Sequence, residues 1–238
     1  MRTAKVRKIT YGIRQKPLTF MHRYIEACYF MYKIYLRCMV KALKEYLARF
    51  IDLTEEEIEH LTSIAEVRTY DKKVKLIDQG EYENYFNFII KGLARKYFFR
   101  GDEEVITQLA KEGELISSSV SFLSGEKSLY IVETIEPTTF LSFSRDTIDN
   151  LYAADKKWQR LGRLIITDLF LQKESWELER ILYSTQERFV RFLSTNSNLF
   201  QRVPQKYLAS YLNIQPETFS RLKHLLRTRN TTNTAISL

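Results

Sequence analysis

The segment 204–226 reads PQKYLASYLNIQPETFSRLKHLL, and its spacing decides the fold of the C-terminal part of the chain. Pro204 is suited to the first turn of a helix, because a proline there sacrifices no hydrogen bond. Asn213 follows this first helix, and asparagine tolerates the left-handed backbone of a tight turn between helices. Pro216 stands near the start of a second helix. The segment therefore predicts a helix-turn-helix.

Apolar side chains occupy the positions where these two helices must meet. Ala209 lies where the backbones approach closely, and a larger side chain would push the helices apart. We expect the core between the helices to consist of Leu208, Leu212, Ile214, Phe219 and Leu222.

A long helix is predicted upstream of this module. From Trp158 to Trp176, apolar residues recur at steps of three and four, without proline and without glycine after Gly162. A helix over 155–180 would be about 39 Å long, which is more than packing on a small domain requires. We therefore predict that 151–182 contains a dimerisation helix. Its predicted seam residues are Leu161, Ile165 and Leu169.

The middle of the chain has the pattern of short strands. Runs rich in β-branched and aromatic residues alternate with glycines, and the five glycines from Gly80 to Gly125 are spaced 12, 9, 12 and 12 residues apart. This interval is typical of hairpins in a small barrel or roll, and it predicts an antiparallel β-roll over 64–145. Before the roll, Thr54 and the three glutamates after it predict the start of a helix. The predicted strands are Val74–Asp78, Tyr85–Lys91, Leu93–Phe99, Val105–Leu109, Leu129–Glu136 and Thr138–Ser144.

Charge is divided unevenly along the chain. Residues 1–38 carry a formal charge of +8, residues 39–187 one of −7, and residues 188–238 one of +7. An acidic middle joined to a basic C-terminal block is typical of a sensor attached to a module that binds a polyanion. The charge pattern therefore favours nucleic acid as a partner of the C-terminal block.

Composition excludes several classes of protein. Cys28 and Cys38 are too few for a disulfide scaffold or a four-cysteine metal site, and three histidines leave little material for a metal cage. No apolar run reaches membrane-spanning length. Fingerprints such as a P-loop or a nucleophile elbow are absent from the sequence. We therefore expect a cytoplasmic protein that is not an enzyme, with no metal, cofactor or membrane partner.

The basic extension 1–38 has two interpretations. Met39 begins a stretch that would make an ordinary protein start, so the favoured interpretation is that the preceding residues are a gene-model artefact. The other interpretation is that 19–40 forms a basic helix that binds a membrane surface or a nucleic acid.

A β-roll, a long helix and a C-terminal helix-turn-helix, in this order, resemble the cyclic-AMP receptor and fumarate–nitrate regulator (Crp/Fnr) superfamily of bacterial transcription factors. The resemblance covers 41–229 and rests, in the roll, on DQGE at 78–81 and FIIKG at 88–92. In the second helix of the module it rests on ETFSR at 217–221. The Glu, Ser and Arg of this pattern read a G·C pair in the family. The resemblance therefore implies base readout by Glu217, Ser220 and Arg221, in keeping with the ability of arginine to bond guanine and of glutamate to accept from cytosine.

The resemblance also implies partners. A homodimer would place two recognition helices in successive major grooves, about 34 Å apart, and would read an inverted repeat of DNA. RNA polymerase is a further partner that the resemblance implies. Basic side chains around the module would contact phosphates, which adds affinity without sequence information. The expected phosphate contacts are Arg188, Arg191, Arg202, Lys206, Lys223, Arg227 and Arg229.

The ligand pocket departs from the family pattern. Lys127 stands where relatives that bind cyclic AMP carry an arginine, and lysine lacks the bidentate fork that suits phosphate. On the long helix, Gln172 and Lys173 stand where cyclic-AMP receptors carry a pair of small hydroxyl side chains. Cyclic AMP is therefore not expected, and another small molecule, a protein partner or no ligand at all stay open. The candidate pocket residues are Gly113, Glu114, Lys127, Ser128, Gln172 and Lys173.

The expected fold class is α+β. An N-terminal helix and the β-roll would occupy 39–150, the long helix 151–182, and the helix-turn-helix domain 183–238. Only 230–238 follow the recognition helix, which is too short for the β-hairpin wing usual in the family. This departure keeps a second hypothesis open, namely a ligand-sensing or protein-interaction module whose helix-turn-helix does not read DNA.

Overall fold

The computed structural model describes residues 39–234, with side-chain surroundings as far as residue 225. These residues lie in one compact unit, Met39–Leu238, and the extension 1–38 lies outside the described residues. The helices are α1 (39–47), α2 (Glu55–Ile64), α3 (Ser119–Ser124), α4 (Arg145–Ala154), α5 (Lys156–Leu182), α6 (Thr185–Thr195), α7 (Ser197–Arg202), α8 (Gln205–Tyr211) and α9 (Pro216–Thr234).

Two four-stranded sheets face each other and form the predicted roll. The sheet orders are β1-β8-β3-β6 and β2-β7-β4-β5, and the neighbouring strands pair antiparallel. Ile89, Val132 and Phe140 are completely buried between the sheets. The strands are β1 (Glu66–Tyr70), β2 (Lys75–Ile77), β3 (Tyr85–Lys91), β4 (Ala94–Arg100), β5 (Glu103–Ala110), β6 (Leu115–Ile116), β7 (Ile131–Thr134) and β8 (Thr138–Ser144).

The turn between β3 and β4 requires glycine for two reasons. Gly92 has a φ of +107°, a backbone conformation that other residues rarely adopt. A Cβ at this position would also lie 2.5 Å from Thr138 Oγ1 and 2.7 Å from the carbonyl oxygen of Pro137. The close approach ties this turn to the one between β7 and β8.

Helix α2 begins as the sequence predicts. The hydroxyl of Thr54 accepts from the backbone N–H of Glu57, and the Glu57 carboxylate accepts from the backbone N–H of Thr54. This reciprocal arrangement is a capping box, which satisfies two backbone donors that a helix otherwise leaves unpaired. The Glu57 carboxylate also binds Lys157 of α5, so the cap fixes α2 beside the long helix.

The long helix is confirmed, with α5 spanning 27 residues or about 40 Å. Asp155 separates it from α4 and caps it by accepting from the N–H of Lys157. Near its start, Trp158 and Leu161 pack into a core with α1, α2 and β3. Within the described residues, none of the helices combines the length and apolar character needed to cross a membrane.

The helix-turn-helix packs directly on the roll. Tyr97 and Ile106 of the roll belong to the same apolar cluster as Leu208 and Phe219 of the module. The C-terminal helices therefore share a core with the roll.

Candidate nucleic-acid interface and sensor pocket

The helix-turn-helix has the geometry that the sequence predicts. Asn213 lies between α8 and α9 with a left-handed φ of 53°, and the N–H of Ile214 donates to the carbonyl of Ala209 at 2.9 Å. This bond closes the turn after α8. The predicted core side chains, at most 8% exposed, are Leu208, Leu212, Ile214, Phe219 and Leu222.

The predicted readout residues share the solvent face of α9. Glu217, Ser220 and Arg221 are all exposed and line one shallow hollow on the surface. Phe219 and Leu222 face the interior. In the described part of the chain, Glu217 and Arg221 form no ion pair with each other within 4.0 Å. Each charge is therefore free of the other and able to meet a partner outside the protein.

An aromatic contact from α6 and the hydrogen bonds of Arg188 hold α9 in place. The ring of Phe189 in α6 meets Phe219 edge-on, with ring centroids 5.1 Å apart. Arg188 donates to the carbonyl of Tyr183 at 3.0 Å and to that of Leu212 at 3.5 Å. It therefore links the end of α5 to the turn before α9. Arg191 pairs with Glu179 at 3.3 Å, so both predicted phosphate contacts on α6 are committed to bonds within the protein.

Arg202, a predicted phosphate contact, has partners within the protein. Its guanidinium donates to both carboxylate oxygens of Glu112, at 2.9 and 2.8 Å, and to Glu136 at 2.5 Å. Both acids lie in turns of the roll. Arg202 is therefore bound to carboxylates and is not free to contact phosphate. The sequence offered no signal for this pairing, because 90 and 66 residues separate the partners.

The other predicted phosphate contacts stay partly accessible. Lys206 is exposed and its ammonium lies 4.8 Å from the ring centroid of Tyr207. Lys223 lies 5.4 Å from the ring centroid of Phe200. The side chains of Arg227 and Arg229 lie outside the described residues.

The structure separates the contacts of the predicted pocket residues. Glu114 accepts from the N–H of Lys111 within its own turn, and burial raises its pKa against that hydrogen bond. Gly113 donates to the carbonyl of Ile89. Ser128 instead lies 2.7 Å from the hydroxyl of Ser118 at the start of α3. These hydrogen bonds link Ser128 with α3, whereas Glu114 bonds to Lys111 and Gly113 bonds to Ile89.

A carboxylate of the protein occupies the start of α3. Glu83 is 5% exposed, and its two oxygens accept from the N–H groups of Ser118 and Tyr85, at 3.2 and 3.1 Å. Burial raises the pKa of Glu83, and the hydrogen bond from Ser118 opposes it. Lys127 is exposed nearby in the chain. An anionic ligand at this position would meet the Glu83 carboxylate.

Lys96 lies in the wall of the roll, and the like charge of Lys173 on α5 affects its pKa. Lys96 of β4 donates to the carbonyl of Ser117 at 3.3 Å and lies 5.7 Å from the ring centroid of Tyr130. Burial and then the like charge of Lys173 lower the pKa of Lys96 to about 8, against the opposite effect of Glu83. The charge of Lys173 on α5 therefore reaches Lys96 in the wall of the roll. Sequence reasoning missed Lys96, because a single lysine in a strand is a common surface residue.

Gln172, the other pocket residue predicted on α5, bonds within its own helix. Its amide donates to Asp168 at 2.7 Å, and Asp168 also pairs with Arg49 at 3.0 Å. Gln172 is exposed, and its hydrogen bond joins it to the helix surface.

The predicted seam residues lie largely on the face of α5 that packs on the roll. Leu161 is 6% exposed and Ile165 packs beside it, both in the core with the roll, while Leu169 is partly buried. A different face of α5 is apolar and open to solvent. Its side chains, between 54% and 77% exposed, are Phe170, Leu171, Leu178, Ile181 and Leu182.

Metal binding has no candidate site among the described residues. These residues contain no cluster of three or more His, Cys, Asp or Glu side chains that could hold a metal ion. An apolar cavity of about 100 Å³ lies between α1, β3, α4 and α5. It is lined by core side chains such as Phe88, Leu151 and Trp158.

Comparison with known proteins agrees with this architecture. Residues 67–155 match a family model described as cyclic nucleotide-binding domain. A comparison with curated proteins gives no match. Among solved structures, the chain is similar to FixK2 from Bradyrhizobium japonicum, with 20% identity and a TM-score of 0.59 over 70% of this chain and 86% of that one.

Two further solved structures have the same fold. CLP, a c-di-GMP-responsive global regulator from Xanthomonas campestris, is 16% identical with a TM-score of 0.58, over 73% of this chain and 91% of that one. A CooA mutant from Carboxydothermus hydrogenoformans is 15% identical with a TM-score of 0.54, over 71% and 79%. At these identities the likeness establishes the fold, and the chemistry of the sites has to be argued from the residues.

Proposed function

This chain has the fold of the Crp/Fnr transcription regulators, and from that premise we propose that it is a sequence-specific DNA-binding regulator. One observation carries the proposal. Glu217, Ser220 and Arg221 stand together on the solvent face of α9, while the opposite face of the helix is anchored in the core. A helix held in this way can enter the major groove with its polar face towards the bases.

The polar face has the chemistry that base readout needs. The guanidinium of Arg221 can bond O6 and N7 of one guanine, and Glu217 can accept from N4 of a cytosine. A good contact of this kind contributes about 1–3 kcal/mol of discrimination between bases. Ser220 lies between them on the helix surface and can bond either a base or a phosphate. We therefore assign base readout to these three residues.

The regulator acts as a homodimer joined along α5. Phe170, Leu171, Leu178, Ile181 and Leu182 fall within an arc of about 120° around the helix at 100° per residue. Leu171 and Leu178 are seven residues apart, the spacing of a helix–helix seam. A second copy would cover this apolar face, which is exposed in the single chain. The two recognition helices of such a dimer read an inverted repeat, and RNA polymerase is the protein partner that transcription regulation requires.

The sensor pocket does not take cyclic AMP in this proposal. The donor at the start of α3 is already bonded to the Glu83 carboxylate, and Lys127 offers a single ammonium where phosphate recognition favours the arginine fork. A ligand phosphate would have to displace or face a negative charge. The effector, where there is one, is a molecule of different chemistry or a protein.

Equilibrium binding of the full chain to DNA tests the proposal. The probes are an inverted-repeat duplex with TTGA half-sites and a scrambled duplex of the same composition, both at one salt concentration, because affinity for DNA depends on salt. Tighter binding to the repeat is expected. Equal binding to both duplexes, or none, would instead favour the second hypothesis, a sensing or interaction module whose helix-turn-helix does not read DNA.

A further inference from the structure

The ion pairs of Arg202 join the helix-turn-helix domain to the acidic end of the roll. Arg202 ends α7, two residues before the helix-turn-helix segment begins. Its side chain is 26% exposed, and it bonds Glu112 with both terminal nitrogens and Glu136 with one of them. Two carboxylates therefore surround a single guanidinium, which places one excess negative charge at the contact.

The acidic side of this contact is built into the roll. Glu112 Oε1 also accepts from the N–H of Gly92 at 2.8 Å, in the turn where a Cβ has no room. Burial raises the pKa of Glu112, but the hydrogen bonds from Arg202 and Gly92 outweigh it and hold the pKa at about 2. The carboxylate is therefore charged and fixed at neutral pH. It presents two oxygens in the bidentate geometry that arginine also finds on a phosphate.

Further contacts dock the module in one orientation. Arg95 of the roll is 2% exposed and lies between the rings of Tyr97 and Tyr207, 4.0 Å from each ring centroid. The same guanidinium pairs with Glu104 and with Glu133. Tyr207 belongs to α8, so this stack is a second contact that joins the module to the roll.

The docked orientation leaves the base-reading face of α9 open. Glu217 and Arg221 are exposed, while Arg202 is bonded to the roll. The docking therefore keeps Arg202 from contacting DNA phosphate but leaves Glu217 and Arg221 accessible to the bases. A device of this kind changes the affinity for all DNA sequences together.

We propose that Glu112 and Glu136 stand in for DNA phosphate and hold Arg202 away from the nucleic acid. This inference rests on the proposed DNA-binding function. DNA phosphate and the two carboxylates compete for one guanidinium, so the acidic end of the roll acts as an internal competitor. Loss of the carboxylate charges frees Arg202 to bind the backbone.

The test is the salt dependence of binding by the full chain. The variant Glu112→Gln/Glu136→Gln keeps the side-chain volume and an acceptor oxygen for Gly92 while it removes both charges. Each new phosphate contact steepens the slope of log K against log salt by about 0.9, which is about 1.8 for a dimer. The gain is expected on the inverted-repeat and scrambled duplexes alike, because phosphate contacts carry no sequence information.

Arg202→Ala is measured both in the otherwise unchanged chain and in combination with Glu112→Gln/Glu136→Gln. In the otherwise unchanged chain it leaves the slope unaltered, because Arg202 makes no phosphate contact there. In the Glu112→Gln/Glu136→Gln variant it is expected to return the steepened slope to the starting value. The matched control is Glu59→Gln/Glu126→Gln, which removes two exposed charges elsewhere and is expected to leave the slope within about 0.3 of the starting value.

The other possible results decide separately on the Arg202 proposal and on sequence-specific readout. A slope that falls by about 0.9 per protomer on Arg202→Ala alone means that Arg202 already contacts phosphate, and the proposal is wrong. An unchanged slope in the Gln/Gln variant, or an equal gain in the control, also overturns it. A steeper slope without preference for the repeat supports the competitor but overturns sequence-specific readout. Absence of binding by every chain overturns both.

Discussion

The hydroxyl of Ser210, in the first helix of the helix-turn-helix, donates to the carbonyl oxygen of Glu104 in β5 at 2.8 Å. The same hydroxyl accepts from the backbone N–H of Ile106 at 3.0 Å. Strand β5 is the last strand of its sheet, so these two backbone groups have no neighbouring strand to bond. One side chain of the module thus satisfies a donor and an acceptor on an open sheet edge.

Ser210→Ala is expected to lower the free energy of unfolding by about 1–3 kcal/mol, because it leaves two partly buried backbone groups without their partner. Urea unfolding of the full chain measures the change. Ser63→Ala is the matched control, since the Ser63 hydroxyl is exposed and bonds only within α2. Equal loss in the two variants would contradict a special role for Ser210 in docking.

Arg221→Ala is expected to weaken binding to the inverted repeat by about 1–3 kcal/mol and to relax specificity at one base pair of each half-site. The reason is that a bidentate contact to guanine is lost while the phosphate contacts are kept. A binding assay over duplexes with single base changes measures both effects. Lys72→Ala, an exposed lysine on the roll, serves as the control. Equal weakening on all duplexes would rule out base readout by Arg221.

Local patterns predicted many elements of this fold, although they did not indicate β1, β6, α3, α6 or α7. The left-handed turn at Asn213, the cap at Thr54 and the strands between regularly spaced glycines each follow from a few adjacent residues. The helix-turn-helix core was equally predictable, because its side chains lie within 15 residues of one another. Periodicity also predicted the length of α5.

Contacts between distant segments could not be predicted in this way. Periodicity shows that α5 has apolar faces, but it does not show that the face with Leu161 is the one that covers the roll. The charge of Arg202 is visible in the sequence, but its pairing with Glu112 and Glu136 is not. Glu83 had no signal, because its role depends on the fold placing α3 above it.

Leu178→Glu is expected to dissociate the dimer. It removes one buried leucine per protomer, about 3 kcal/mol or more for the pair, which is about 100-fold in the dimer Kd. Sedimentation velocity over a concentration series measures the change. Leu129→Glu is the matched control, because Leu129 is 69% exposed on the roll and lies outside α5. Dissociation by the control and not by Leu178→Glu would place the dimer contact on the roll.

Lys96→Met is expected to raise the free energy of unfolding at pH 7 by about 1–3 kcal/mol. The folded chain bears the cost of a buried ammonium whose pKa is lowered from 10.5 to about 8, chiefly by burial and then by Lys173. Between pH 8 and 10.5 the unfolded chain binds more protons at this residue than the folded chain. Its contribution to stability therefore rises with pH across that interval.

Urea unfolding of the full chain at pH 7 and at pH 9.5 separates this effect from simple repacking. The unchanged chain is expected to gain stability between the two pH values relative to Lys96→Met, since methionine has no proton to lose. Lys72→Met is the control, because Lys72 is exposed and its substitution leaves the pH dependence as it was. A stability difference between the Lys96→Met chain and the unchanged chain that is the same at both pH values would show that Lys96 is charged throughout and that burial does not govern its titration.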